Sequence, residues 1–345
     1  MRISVLWTFR TDYLTAAITA AVDRGHEVLL VLQADERLLP QPEIPTRGGL
    51  TVLQSPPKAV LASALRDFHP DVLIVAGWHV PEYRSLSRAL RGRTIRMMAT
   101  DSQWRGNFKQ LAGRILFRIA RRAYYDWAFV PGDRQVRFAR RLGFRADEIQ
   151  RGSVPAHTDV FDRGVRLVRD RAFLYVGRYV PEKGLDVLFA AYALYRERSD
   201  DPWELHLSGT GPEVLPRVPG IVDLGYLRPE EVAEAMCSAS CFVLASRFEP
   251  WGVVLHEAAT AGMPLIASEE CGAASAFIVN GVNGAVVPTG DAKALAQAML
   301  EISARSSEQL NQMSLISRAL SLQSSPNIWV DAVERVANHA TIAIN

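Results

Sequence analysis

Short apolar runs alternate with segments of helical period along almost the whole chain, and that alternation leaves few choices of fold. Runs of about four to six residues are short for buried helices and lack a polar-out alternation, so they read as strands covered on both faces, as in a parallel sheet. The first lies at residues 3–6. After it, Leu14, Ala17, Ile18, Ala21 and Val22 recur at i, i+3, i+4, i+7 and i+8, one face of a helix that Gly25 ends. A strand at 27–32, a Pro-rich connection at 40–57, a helix at 59–68, a strand at 72–76, an Arg-rich helical region and a strand at 125–130 complete a first set. The stretch 151–171 has no clear period and carries Gly152, Pro155 and Gly164, which marks a junction. Beyond it the alternation restarts, with strands at 172–176, 204–207, 241–245, 264–267 and 285–287. Helices are expected at 182–196, 229–239 and 252–261, and another opens at Asp291. The reading is α/β throughout: one domain at 1–160, a second at 161–325, and a last segment at 326–345 built on a helix around 329–339. Open α/β sheets bind ligands at the carboxyl ends of their strands, so the chemistry is expected in the loops that follow strands.

The charge is uneven in kind and in place. The 345 residues carry a formal charge of +2, with 35 Arg and only four Lys (Lys58, Lys109, Lys183, Lys293). Residues 84–145 hold sixteen basic residues against three acids, +13, which implies an anionic partner. Three cysteines (Cys237, Cys241, Cys271) without a CxxC pair, and no histidines at ligand spacing, argue against structural zinc or a disulfide framework, so no metal is expected. The N-terminus meets Thr8, Arg10 and Asp12 too early for a signal-peptide core, and no run approaches ~18 apolar residues. The expected location is cytoplasmic, with peripheral contact on the inner face of a membrane as an extension.

Three loops of the second domain place polar residues at strand ends. Val176-Gly177-Arg178-Tyr179-Val180-Pro181-Glu182-Lys183-Gly184 sets a guanidinium and an ammonium beside a helix start, where free N–H groups favour anions. Arg grips phosphate through two oxygens and Lys acts as a mobile point charge, so the two suit a diphosphate; a pair of solvated surface cations is the plain alternative. In Arg247-Phe248-Glu249-Pro250-Trp251-Gly252-Val253-Val254-Leu255-His256-Glu257, Gly252 opens the backbone to a ligand and the amides of Val253 and Val254 start a helix. Glu249 precedes that helix and Glu257 lies about 8 Å further in. Two carboxylates bracketing an amide-rich phosphate site match ribose, diphosphate and sugar in sequence, although either alone reads as solvated. In Leu205-His206-Leu207-Ser208-Gly209-Thr210-Gly211-Pro212, Gly209 and Gly211 serve either a flat ligand or a tight turn, and Gly225-Tyr226-Leu227 is a candidate for contacts to a base.

These elements, followed by Glu257-Ala258-Ala259, Gly262-Met263-Pro264, Asn280-Gly281-Val282-Asn283-Gly284 and Gly290-Asp291, resemble the retaining glycosyltransferases of family 4 over roughly 172–300. The most specific part is Glu249 and Glu257 with seven residues between them. The resemblance implies a GT-B fold, two Rossmann-like domains facing each other across a cleft, with a final helix crossing back to the first domain. It implies a nucleotide-diphosphate sugar as co-substrate (UDP or GDP), no cofactor, no metal, and a sugar or lipid-linked acceptor on the N-terminal side. Carried over, Arg178 and Lys183 hold the diphosphate and stabilise its leaving charge, Glu249 contacts the transferred sugar, and Glu257 holds the ribose. Gly252, Val253, Val254, Gly209, Gly211, Tyr226 and Leu227 complete the donor set. The N-terminal half departs from the family: Leu6-Trp7-Thr8-Phe9-Arg10-Thr11-Asp12 lacks the glycine-rich loop, which also excludes a G-x-G-x-x-G dinucleotide fingerprint and leaves Arg10 as a substitute. Asp101 is the candidate facing the donor sugar, with an N-cap of the next helix as its alternative role. His79, with a structural histidine as its alternative, and Arg105 join Arg10 as the acceptor-side candidates.

Phe108, Leu111, Ala112, Ile115, Leu116 and Ile119 recur at helical spacing among Arg114, Arg118, Arg121 and Arg122. Such a stripe reads first as core, with a weak contact to an anionic membrane surface as the alternative. The activity implied is sugar transfer in bacterial surface-glycan assembly, lipopolysaccharide or exopolysaccharide. A GT-B nucleotide-sugar epimerase or phosphorylase and a noncatalytic glycan- or lipid-binding scaffold are the alternatives. Nucleic-acid binding has no motif to support it.

Overall fold

The strands of the first half form one parallel sheet, and every one of them except the second and the last is followed by a described helix that returns over a sheet face. The strands are β1 (Arg2–Trp7), β2 (Glu27–Leu32), β3 (Leu50–Gln54), β4 (Val72–Ala76), β5 (Ile95–Ala99), β6 (Trp127–Val130) and β7 (Ile149–Arg151), in the order β3-β2-β1-β4-β5-β6-β7. The helices are α1 (Asp12–Asp23), α2 (Lys58–Phe68), α3 (Pro81–Ala89), α4 (Phe108–Tyr124) and α5 (Asp133–Arg141). The computed structural model describes residues 1–33, 47–164, 166, 168–216 and 218–342.

The second sheet is also parallel, in the order β10-β9-β8-β11-β12-β13. Its elements run α6 (Thr158–Phe161), β8 (Asp170–Val176), α7 (Leu185–Arg198), β9 (Glu204–Ser208), β10 (Ile221–Gly225), α8 (Pro229–Ser238), β11 (Ala239–Leu244), α9 (Val253–Thr260), β12 (Leu265–Ser268), α10 (Ala274–Phe277), β13 (Gly284–Val287), α11 (Ala292–Ser303) and α12 (Ser307–Ser321). A last helix, α13 (Pro326–Ile342), follows. The chain divides into two units, Met1–His157 with Ser324–Asn345, and Thr158–Gln323. Strand order reverses between β1 and β4 in one sheet and between β8 and β11 in the other, so each sheet has a crevice at those carboxyl ends.

Burial explains the pattern. Every residue of β4 is buried and all of β11 is buried, as expected of central strands covered on both faces. One face of the first sheet packs on α1 and α13, where Trp329 meets Phe129 at 5.9 Å; the other packs on α2 to α5. Arg24 at the end of α1 bridges to Asp331 and Glu334 of α13, tying the last helix to the first unit. In the second unit Arg169 enters the protein and donates to the carbonyls of Met236, Ala239, Ala261 and Gly262 at 2.8–3.1 Å, satisfying the ends of α8 and α9.

Several expectations change. The Pro-rich connection contains β3, an edge strand; the part at 34–46 lies outside the described residues. α12 fills a stretch with no expected element. Asp101 does not cap the next helix: α4 starts seven residues later, and the Asn107 side chain accepts from the Gln110 amide at 2.9 Å. The apolar stripe of α4 is not core. Phe108, Ile115, Leu116 and Ile119 are 64–84% exposed, because α4 buries instead the face carrying Phe117 and Arg121. Part of the arginine excess is structural: Arg96, 1% exposed, pairs with Asp126 and donates to the carbonyl of Ala123 at the end of α4, and Arg121 pairs with Glu148 at 2.7 Å.

Candidate active site

The loops after β10, β9, β8 and β11 lie side by side at the carboxyl edge of the second sheet. Gly177 donates to Ser208 at 2.9 Å, Tyr179 to Thr210 at 2.8 Å and Gly209 to Gly225 at 2.9 Å, which locks the loops of residues 177–179, 209–211 and 225–226 into one row. A Cβ on Gly209 would stand 1.8 Å from the Gly177 carbonyl oxygen, and one on Gly211 would stand 2.1 Å from that of Tyr179. These glycines are therefore required where loop packs against loop. The Tyr179 hydroxyl donates to Asp223 at 3.0 Å; burial foremost, then this carboxylate, pushes its pKa far up, so it stays a neutral donor.

On the other side of the β8–β11 switch point, residues 181–183 form one 3-10 turn and Gly184 adopts φ +67°, where a Cβ would stand 2.4 Å from the Ala245 carbonyl oxygen. The amide of Arg247 donates to the Glu182 carbonyl at 2.8 Å, and the Arg247 side chain holds Asp186 at the start of α7 through both nitrogens at 2.5–2.6 Å. This brace fixes the loops after β8 and β11 together. It brings the Lys183 ammonium onto the Glu249 carboxylate in an ion pair whose side chains are only 14% and 12% exposed. Gly252, at φ +89°, lets Glu249 pack: a Cβ there would stand 2.8 Å from the Glu249 Cγ. Cys271 lies against the same carbon frame, and its thiol pKa is pushed up to about 12 by burial first and by the Glu249 charge second.

α9 is buried on every side except for Val253, Val254 and Glu257. Residues i, i+1 and i+4 share one face of a helix, so the single accessible strip of α9 carries two N-terminal residues and one carboxylate about 6 Å apart along the axis. No side chain caps its N-terminus. His256, the neighbour of Glu257, points the other way: it is fully buried, stacks on Phe277 at 4.2 Å and donates to the Ser321 carbonyl at 3.0 Å. Burial lowers its pKa to about 4, so it is neutral and structural.

Arg178 is exposed beside this row, and among the described residues its guanidinium has no carboxylate partner. Tyr226 is 43% exposed at the far end of the row, with Leu227 half-buried next to it. The structure thus groups Arg178, Lys183, Glu249, Gly252, Val253, Val254, Glu257, Gly209, Gly211, Tyr226 and Leu227 along one sheet edge. The arrangement offers cations and free amides to an anion at the switch point, with a carboxylate on either side.

The first unit has its own cavity, about 410 Å³, at the carboxyl ends of β1, β4 and β5. Trp7, Phe9, Tyr13 and Trp78 give it aromatic walls, and His79, Thr100, Asp101 and Ser102 give it polar groups. Asp101 and His79 are brought together here. Arg10 and Arg105 are not among its lining residues: Arg10 donates to Gln54 at 3.2 Å, and Arg105 sits exposed at the approach to α4. The aromatic wall was missed because Trp7, Phe9 and Tyr13 are each isolated in sequence; their common origin at the β1 loop was the available signal. Among the described residues, no group of three His, Cys, Asp or Glu side chains could hold a metal ion.

Two parallel sheets of Rossmann type in one chain are the fold of GT-B glycosyltransferases. Over 98% of the chain and 99% of its counterpart, the structure superposes with a TM-score of 0.70 and 16% identity on a crystal structure of Anabaena HepE with UDP and glucose. Residues 170–305 match the family model for group 1 glycosyl transferases. The chain is 34% identical over 140 residues to a phosphatidyl-myo-inositol mannosyltransferase of Mycobacterium leprae, covering 38% of this chain and 37% of the relative. It is also 34% identical over 146 residues to the O-antigen chain mannosyltransferase C of Escherichia coli, covering 39% and 38%. The matched stretch thus spans under two fifths of the length of these curated relatives.

Proposed function

We propose that the protein is a retaining glycosyltransferase that moves a sugar from a nucleoside-diphosphate sugar to an acceptor hydroxyl, in the assembly of bacterial surface glycan. The observation that carries this reading is the accessible strip of α9, Val253, Val254 and Glu257, lying beside the Lys183–Glu249 pair at the switch point. The free amides and the two cations would receive the diphosphate. Glu257 would take the ribose hydroxyls and Glu249 the transferred sugar, and the row ending at Tyr226 would receive the base. Match of residues 170–305 to group 1 glycosyl transferases supports the assignment, and the mannosyltransferase relatives support a glycan product.

Chemistry follows from charge. As the glycosidic bond breaks, negative charge grows on the diphosphate, and Arg178, Lys183 and the N-terminus of α9 meet it. One such preorganised donor is worth about 3–4 kcal/mol in a well-studied case of another enzyme class. No carboxylate is assigned as a covalent nucleophile, and Glu249 is given the part of supporting the transferred sugar. Substitution on the same face, with the leaving phosphate accepting the acceptor's proton, fits this site best. The aromatic cavity of the first unit, with Asp101 and His79, suits a sugar ring as acceptor.

A thermal-shift panel of nucleoside diphosphates and their sugars tests the reading directly. The cognate donor at 100 times its dissociation constant should stabilise the protein by about 2.7 kcal/mol. Incubation with that donor and acceptor should then release nucleoside diphosphate, and Lys183→Ala and Glu257→Ala should abolish the release while both variants still fold. Full activity in both would refute the site.

A further inference from the structure

α4 presents an apolar stripe to solvent. Phe108 is 84% exposed, Ile119 80%, Leu116 71% and Ile115 64%, with Leu111 beside them. At 100° per residue these positions fall on one side of the helix, and Arg114, Arg118 and Arg122, at i, i+4 and i+8, form a row along its border. Arg122 is 67% exposed at the side chain while keeping a 3.4 Å contact with Glu148, and among the described residues Arg114 and Arg118 have no carboxylate partner. Seventeen residues make a helix about 25 Å long, and no described helix is long and apolar enough to cross a membrane. The opposite face is anchored: Phe117 is buried against Trp78 at 5.2 Å, and Arg121 is held by Glu148.

We infer that α4 lies in the plane of an anionic lipid bilayer, its apolar stripe in the acyl boundary and its arginine row at the headgroup phosphates. Charge decides the occupant. The sequence of α4 holds five basic residues and no acid, so a second copy of the chain would set cations against cations. An anionic lipid surface supplies the complementary charge together with an apolar layer beneath it. The buried side of the same helix braces Trp78, which lines the aromatic cavity. Docking of α4 therefore carries that cavity to the lipid surface. The inference stands on the exposure and charge of α4 and does not depend on the donor reading above.

The test is co-sedimentation of the full-length protein with vesicles of phosphatidylcholine alone and of phosphatidylcholine with phosphatidylglycerol in equal parts, at low and at high salt. Binding to the anionic vesicles at low salt, lost on neutral vesicles and at high salt, is expected. Arg114→Gln with Arg118→Gln should lower the partition coefficient roughly 25-fold, about fivefold for each charge removed near the surface. Phe108→Ser with Ile119→Ser should remove binding without lowering the melting temperature, since both side chains are already in water. Equal partition onto neutral and anionic vesicles, or unchanged binding by the serine variant, would overturn the inference. So would a dimer in solution that the serine variant converts to monomer, because the stripe would then belong to a second copy.

Discussion

Replacing Lys183 separates what the Lys183–Glu249 pair does for the fold from what it does for the chemistry. Loss of one partner from a fully buried pair costs about 3–5 kcal/mol, and loss of an exposed pair costs about 0.2–1. With side chains 14% and 12% exposed, this pair lies near the buried limit but keeps an edge in water, so Lys183→Ala should cost roughly 2–3 kcal/mol. For a unit of this size that is a fall in melting temperature of about 5–10 °C. Lys183→Met with Glu249→Gln removes both charges and keeps both volumes, so it should recover at least half of the loss. Turnover should behave differently, falling on the order of 10²–10³ in the single variant and no less in the double, because the donor for the leaving diphosphate is gone in both. The assays are thermal melting without ligand and release of nucleoside diphosphate. Melting within about 1 °C of the parent would refute the buried-pair argument. Turnover within about threefold of the parent would refute the catalytic one.

Acid should destabilise the second unit through His256. Its pKa is lowered from 6.5 to about 4 in the folded protein, so stability is fully present above pH 6.5 and is lost as pH falls toward 4, by about 2 kcal/mol at pH 5. His256→Gln should flatten that part of the pH–melting curve, and an unchanged curve would count against it. Asp101→Ala should reduce transfer about 10-fold or more while nucleoside diphosphate still binds, since the side chain lies at the cavity of the first unit. Gly211→Ala should instead weaken donor binding and lower the melting temperature together, because its Cβ would meet the Tyr179 carbonyl. Turnover should persist in excess EDTA if Arg178, Lys183 and α9 supply the positive charge; a loss restored by a divalent cation would refute that assignment.

The strands were legible wherever burial on both faces writes an unbroken apolar run, as in β2 and β4. β3 was not, because it is an edge strand with the pattern half-exposed, exposed, exposed, half-exposed, exposed, and its flanking prolines and glycines read as loop. α12 was invisible for a different reason. Its buried residues are Met313 with Ser314, Ser317 and Ser321, so three of the four are hydroxyls, and Ser317 accepts from Asn283 at 2.9 Å. An apolar period cannot report a helix that buries hydroxyls. α4 shows the converse. The period of its stripe was read correctly as helical, but period says only that two faces differ, and the partner of each face is decided by what the rest of the chain packs there.

The same distinction divides the candidate site. Residue type and spacing singled out Lys183, Glu249 and Glu257 because a diphosphate flanked by two hydroxylated rings would restrict which groups can stand at a strand end and one turn into the next helix. Spacing could not show that Lys183 and Glu249 neutralise each other before any ligand arrives, since that contact depends on Arg247 gripping Asp186 and on Gly184 clearing the Ala245 carbonyl. If the site takes the donor as proposed, binding has to compete with this existing ion pair. Arg178, which has no such partner, is then the cation available for first contact with the diphosphate, and Lys183 can join only as Glu249 turns to the sugar. Arg178→Ala should therefore slow donor association, whereas Glu249→Gln, which frees Lys183, should tighten binding of nucleoside diphosphate while abolishing transfer. Stopped-flow binding resolves the two, and weaker diphosphate binding by Glu249→Gln would show that the pair is a support for the site and no gate to it.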